Sequence, residues 1–303
     1  GATVAIAADK GTVGPTADKG DGTYTATLTA PTTLGTAIVS AKVGNTPLTS
    51  TAGVAFTAGA PSVATSTIET ADAALVADGV SSTLVTVRLK DAQGHALTTG
   101  GSSVAINADK GTIGPTADKG DGTYTATLKA PTALGTATVS AKLGGTALTS
   151  TASVAFTVGT PSVTTSTIET ADAALVADGV STTLVTVRLK DAQGHALTTG
   201  GSSVVINADK GTIGPTADKG DGTYTATLKA PTALGSAIVS AKVGGVALTS
   251  TASVTFTVGS PSAITSSIEA ADAELTADGT STTTITIKLK DAQGHDLTAG
   301  GAT

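Results

Sequence analysis

The run Gly20-Asp21-Gly22-Thr23-Tyr24-Thr25-Ala26-Thr27-Leu28 recurs unchanged at 120–128 and at 220–228, so the chain carries a period of 100 residues. Asp-Gly is a turn pair that accepts positive φ, and here it feeds a stretch of strict alternation. Tyr24, Ala26 and Leu28 fall on one face of the strand it predicts, and Thr23, Thr25 and Thr27 on the other. One face is expected to be buried and the other wet. A long period of this kind means one packing solution used several times, and the rest of the chain can be laid onto it.

Residues 61–160 and 161–260 are two copies of one module. They differ at nine positions, such as Ala105 against Val205 and Leu143 against Val243. Residues 1–60 match the last part of that module, and 261–303 match its first part. The expected domains are therefore the C-terminal part of a module at 1–60, complete modules at 61–160 and 161–260, and the N-terminal part of a module at 261–303. Short links, Ala58-Gly59-Ala60-Pro61-Ser62 and Val158-Gly159-Thr160-Pro161-Ser162, join them. Each holds one proline, which stiffens the path.

Within 61–160 the pattern predicts a first edge strand at 67–69, continued at 73–77 after a break at Ala71-Asp72. The clearest strand covers 83–90, with Thr83, Val85, Val87 and Leu89 inward and Leu84 the one exposed apolar residue. Asp91-Ala92-Gln93-Gly94-His95 reads as a turn. Further strands are expected at 104–108, 123–130, 136–143 and 147–158, with a short segment at 112–115 and a tight turn at Gly144-Gly145. About seven short strands, turn signals every 8–12 residues and no helical period describe an all-β chain of tandem immunoglobulin-like sandwiches. The core is light, with one Tyr and one Phe per module. Each buried Val or Leu contributes roughly 1.5–3 kcal/mol, enough for a module to fold alone. The stiff links and the lack of a large apolar docking surface predict an elongated rod.

Composition removes several classes of function. A net charge of −6 offers no basic surface for phosphates, so nucleic acid is not an expected partner. No apolar run is long enough to span a bilayer, so no membrane insertion by this segment is expected. No signal peptide or anchor is recognisable either, which suggests an internal piece or a mature fragment. Zero cysteine excludes disulfides and thiolate metal sites, and is compatible with export from bacteria. Every rare residue (Tyr24, Phe56, His95 and their equivalents) occurs once per period. No unique residue remains for a single active site.

Asp78-Gly79, then 85–91, Gly94, Gly100-Gly101, 111–114, 120–126 and Gly135-Thr136-Ala137 follow one another in an order that resembles the group 1 bacterial Ig-like repeats of invasins, intimins and giant repetitive adhesins. The resemblance covers the whole chain. It implies a surface-exposed sandwich, usually in tandem, that forms an adhesin stalk. The lectin-like, cysteine-bearing tip of invasin-like proteins has no counterpart here, so tip binding is not carried over.

The candidate chemistry is thin. Asp118-Lys119-Gly120-Asp121-Gly122 has the look of a calcium loop, but its twelfth position is Lys129 where an EF-hand has Glu. It reads as a hairpin turn. A looser calcium site from Glu69, Asp72 and Asp78 stays open beside a reading of Asp72 and Asp78 as turn residues. His95, His195 and His295 each lack a second His or Cys in their module and read as solvated turn histidines. No G-x-S-x-G elbow, phosphate loop or Arg-Gly-Asp tripeptide occurs, and Arg88 and Arg188 sit in mid-strand. The expectation is no enzyme, no catalytic, cofactor-binding or metal residues, no cofactor, and folding without calcium. Two functions follow: an extracellular stalk or spacer of a bacterial surface adhesin, its receptor met by parts outside this segment, or a repeated module binding a protein or glycan by avidity.

The ends raise a separate question. Residues 261–303 supply what 1–60 lack, and Gly301-Ala302-Thr303 repeats Gly1-Ala2-Thr3. Two arrangements stay open. The chain is a window from a longer array, or 1–60 and 261–303 of different chains pair head to tail.

Overall fold

A computed structural model describes residues 2–298; the triplets at the two ends fall partly or wholly outside them. The chain divides into two compact units, Gly1–Thr157 and Val158–Thr303. All regular structure among the described residues is β.

In the first unit, residues 67–157 build one sandwich. Its first sheet runs Thr67–Thr70, Ser82–Arg88, Thr123–Lys129, with the short strands Thr112–Ile113 and Ala117–Asp118 along the outer edge. Its second sheet runs Ala74–Val76, Ala152–Thr157, Gly135–Leu143, Val104–Ala108, with Thr146–Ala147 beside Gly135–Leu143. The phase of the alternation fixes which residues meet between the sheets. Val85, Val87 and Leu128 are fully buried from one side, and Ala137, Val139 and Val154 from the other. The two aromatic rings of the module, Tyr124 and Phe156, are buried with them, 2% and 3% exposed. Leu84 points out, 48% exposed, as its phase requires.

Three details depart from the sequence reading. Ala74–Val76 does not continue the first edge strand. It crosses to the second sheet and pairs in parallel with Ala152–Thr157, Leu75 opposite Phe156. The expected strand at 147–158 is two strands, Thr146–Ala147 and Ala152–Thr157, because Leu148 turns into the core at 6% exposure. Thr125, on the face expected to be wet, is only 9% exposed, lying in the ladder between Thr86 and Ala117.

In the second unit, 167–257 repeat this sandwich with the same sheet orders and registers. None of the nine positions that differ between the copies is buried. The fully buried interior is the same in both copies; the changes fall at exposed or partly buried positions, and the one pressed against the core, Leu143 to Val243, keeps an aliphatic side chain.

Residues 2–57 and 261–298 are built otherwise. The first hold a four-stranded sheet of Val4–Ala8, Gly35–Val43, Thr46–Pro47 and Ala52–Phe56, and two two-stranded pairs, Thr12–Val13 with Leu28–Thr29 and, between them in sequence, Ala17–Asp18 with Tyr24–Thr25. The second hold only the pair Ser267–Ala270 and Ile285–Lys288.

Candidate functional site

Each period holds one deeply buried carboxylate. Thr83, Val85, Val87 and Leu89 point inward, and the next residue in that phase is Asp91. Asp91 is 2% exposed, and Asp191 and Asp291 are as deep. A buried carboxylate needs donors, and four converge here. One oxygen accepts from the N–H of Gln93 at 3.0 Å and of His95 at 2.9 Å. The other accepts from the N–H of Gly59 at 2.9 Å and faces His95 Nδ1 at 2.9 Å. The turn closes because the Asp91 N–H donates to the His95 carbonyl, while Gly94, at φ 88°, donates back to the Asp91 carbonyl.

Gly59 belongs to the link, so the carboxylate ties the link to the module that follows it. Other bonds strengthen the tie. Ser62 N–H donates to the Lys90 carbonyl at 2.8 Å, and Thr65 Oγ1 donates to the Asp91 carbonyl at 2.6 Å. The same clasp forms at Gly159, Asp191 and His195, and at Gly259, Asp291 and His295. The donors outweigh burial. The Gly59 N–H, first among the causes, holds Asp91 far below the usual carboxylate range. Burial pushes Asp191 up, but the Gly159 N–H and the His195 ring carry it down to about 2. An ionised carboxylate only accepts, so Nδ1 of each His carries the hydrogen that points at it.

The expectation of a solvated turn histidine is therefore corrected: His95 has a side chain 24% exposed and locked to a buried acid. The inward phase of Asp91, two residues after Leu89, is the signal for this burial in the sequence. Beside the clasp in the first unit lies an open groove of about 460 Å³, between Pro31, Leu34 and Phe56 on one side and Asp91, Gln93 and His95 on the other. A hydrolytic Asp–His pair needs a hydroxyl on Nε2. Among the described residues the bond of each His side chain is the one from Nδ1. The arrangement is built to hold a link.

The other residues singled out in the sequence have separate tasks. The two Asp118 oxygens accept from Gly120 N–H at 2.8 Å and Gly101 N–H at 2.6 Å. Asp121 accepts from Thr123 N–H at 2.9 Å. This is hairpin-turn chemistry, and it also anchors the strand that opens after Gly101. The Tyr124 hydroxyl accepts from Ser102 N–H at 2.8 Å in the same corner. Glu69 and Asp78 are not brought to one point. Glu69 pairs with Arg88 Nε at 3.1 Å on the surface, whereas Asp78 accepts from Val80 N–H, Ser81 N–H and the Ser81 hydroxyl. The Asp72 N–H donates to the Thr83 hydroxyl oxygen at 2.9 Å. Among the described residues no three His, Cys, Asp or Glu side chains are grouped to hold a metal.

The family model for invasin, domain 3, matches the chain three times, over residues 1–59, 62–159 and 162–259. FdeC, an adhesin of Escherichia coli, is 27% identical, with 84% of this chain and 86% of that one covered at a TM-score of 0.56. Invasin, a bacterial integrin-binding protein, is 26% identical with a TM-score of 0.52. The match covers 84% of this chain and 52% of the invasin chain, so the chain spans about half the length of that structure. InvD of Yersinia pseudotuberculosis, 23% identical with 77% and 72% covered at a TM-score of 0.50, shares the fold. These likenesses are to adhesins and invasin, which suggests a non-enzymatic protein. With most of its length matched in three successive stretches, the chain belongs to the family of invasin domain 3, whose Ig-like sandwich it repeats in tandem.

Proposed function

We propose that this chain is a non-enzymatic stalk segment of a bacterial surface adhesin, lying outside the cell, whose modules set reach. We divide it at 60/61, 160/161 and 260/261, so that each module takes its link's second half as its first residues. The observation that carries this reading is the distribution of the nine differences. The fully buried core and the clasp are held constant while exposed and partly buried positions vary, as fits a spacer in which no copy needs its own chemistry. Adhesin relatives support the location, and receptor contact belongs to parts outside this segment. In this reading the neighbours of each module are other Ig-like modules, joined in a rod. Small-angle scattering on variants with one copy of 161–260 removed or duplicated tests it. The maximum dimension should change by a fixed step of somewhat more than roughly 30 Å, the length of a nine-residue strand. A sphere-like particle would overturn it.

One observation favours a repeated binding face instead. Val80 and Val180 stand 74% and 71% exposed at the same turn of each copy. A glycan and receptor array probed with the 303-residue chain separates the readings: saturable binding lost on Val80→Ser with Val180→Ser would replace the spacer by a binding module acting through avidity.

A further inference from the structure

We propose that each complete module bears tension along the chain through one hydrogen-bond row, the parallel pair between Ala174–Val176 and Ala252–Thr257 and its counterpart between Ala74–Val76 and Ala152–Thr157, so that the fold acts as a shear clamp. That the chain works under load is the stalk reading; the clamp itself rests on strand order, and its test does not depend on that reading.

The order of ties along 161–260 sets where load goes. Pulled from its start, the module first meets the clasp, where the Gly159 N–H donates to Asp191 and the Ser162 N–H to the Lys190 carbonyl. Next comes Thr167–Thr170, antiparallel to Thr182–Arg188 in the first sheet. Ala174–Val176 is the last tie of the entering segment. It lies on the other sheet, against the strand by which the chain leaves. Losing the earlier ties lengthens the lead. Release of Ala174–Val176 is what puts load on Thr182–Arg188 and the interior behind it.

The direction of the pair decides how it fails. Its strands run the same way, with Ala174 opposite Thr255, Leu175 opposite Phe256 and Val176 opposite Thr257. Tension draws one strand back by its first residue and the other forward by its last. The two must slide lengthwise, which strains the whole row at once, whereas a pair opened from one end gives way bond by bond. The row continues past the three register pairs. The Thr255 N–H donates to the Ala173 carbonyl and the Ala177 N–H to the Thr257 carbonyl, each at 2.9 Å, and the Thr257 hydroxyl donates to the Leu175 carbonyl at 3.2 Å. Sliding has no halfway register. A slip of one residue would turn Leu175, 9% exposed, and Ala177, fully buried, away from the core. Had 174–176 stayed on the first sheet, entry and exit would share no row.

The chain has no cysteine, so two can be placed as handles. Single-molecule pulling on the full chain then compares two directions on the same module. Thr160→Cys with Ser260→Cys loads the row in shear. Val180→Cys with Ser260→Cys loads it from the end at Val176 and Thr257, so that it peels. All three positions are exposed, and melting of both variants should match the parent, so that force reads direction and not stability. Forced opening reports the barrier on the path taken, and hydrogen bonds failing together should raise the shear force about twofold or more over the peeling force at one loading rate. A staple locates the resistance. The oxidised Ala174→Cys, Thr255→Cys chain, pulled through tags at its two ends, should show one main opening event where the parent shows two. The total length released should fall by roughly 270–290 Å, the span of the residues locked behind the disulfide. Equal force in the two directions would overturn the proposal. So would two main events in the oxidised chain, which would place the resistance in Thr167–Thr170.

Discussion

The same nine residues occur at 20–28 and at 120–128 and have two structures. At 120–128 they run into the seven-residue strand Thr123–Lys129, with Tyr124 2% exposed and Leu128 fully buried. At 20–28 they break into two-residue pieces, and Tyr24 and Leu28 stay partly open. Propensity and pattern are identical, so neither explains the difference. The strand Ser82–Arg88 does: it lies along the whole of Thr123–Lys129, and no described strand takes its place along the first copy. β-structure is a property of pairing and burial more than of the strand's own residues. Local turn chemistry behaves differently. Asp291 sits in the sparsest part of the chain, yet it keeps the clasp with Gly259 at 3.0 Å and His295 at 2.9 Å.

Amide exchange should give the widest separation. The amides of 123–129 and 223–229 should be protected about a thousandfold or more over those of 23–29, because one set opens with a folded core and the other by fraying. Equal protection would break the comparison. Truncating the shared tyrosine sharpens it. Tyr124→Ala removes a fully packed ring and should destabilise its module by roughly 3–5 kcal/mol in denaturant melts. Tyr24→Ala should change stability by under about 0.5 kcal/mol.

The glycine that starts the strand divides in the same way with a smaller span. Gly122 has φ 82°, and a Cβ there runs into the Leu97 carbonyl; Gly22 has φ 89° and open space around it. Alanine at either position carries the left-handed cost of about 1–2 kcal/mol, and Gly122→Ala should add a collision on top, read as a larger loss of melting temperature.

The clasp predicts a pH dependence common to complete and incomplete regions. The folded Asp191 titrates at about 2 against an ordinary value of 3.8. Its contribution is fully present above about pH 4 and is lost as pH falls through 2, because the unfolded chain binds the proton first. Melting temperatures should be flat from pH 7 to about 4 and fall below it, and the gap between the parent and Asp191→Asn should close over that window. The least effect belongs to the surface pair. Arg88 and Glu69, both more than half exposed, should yield under about 1 kcal/mol on Arg88→Ala, and less in salt.

The period, the class of fold and the direction of most side chains are legible in the order of residues. Alternation is a local property of extended backbone, so Val85, Val87 and Leu89 could be placed inward, and Leu84 outward, from the order of residues alone. The Asp-Gly and Gly-Gly turns were legible for a similar reason, since the φ values they need are set within a few residues. The tertiary structure decided what depends on a distant partner. The same short apolar run could have stayed on its first sheet, but Ala74–Val76 left it because a free edge of Ala152–Thr157, some eighty residues on, accepts it in parallel. Asp91 is buried and not wet because Gly59, 32 residues earlier, brings a donor to it and His95 brings another. Identical residues at 20–28 and 120–128 differ for the same reason: hydrogen-bond rows and buried area are shared quantities, and half of each belongs to a segment that the local sequence does not contain.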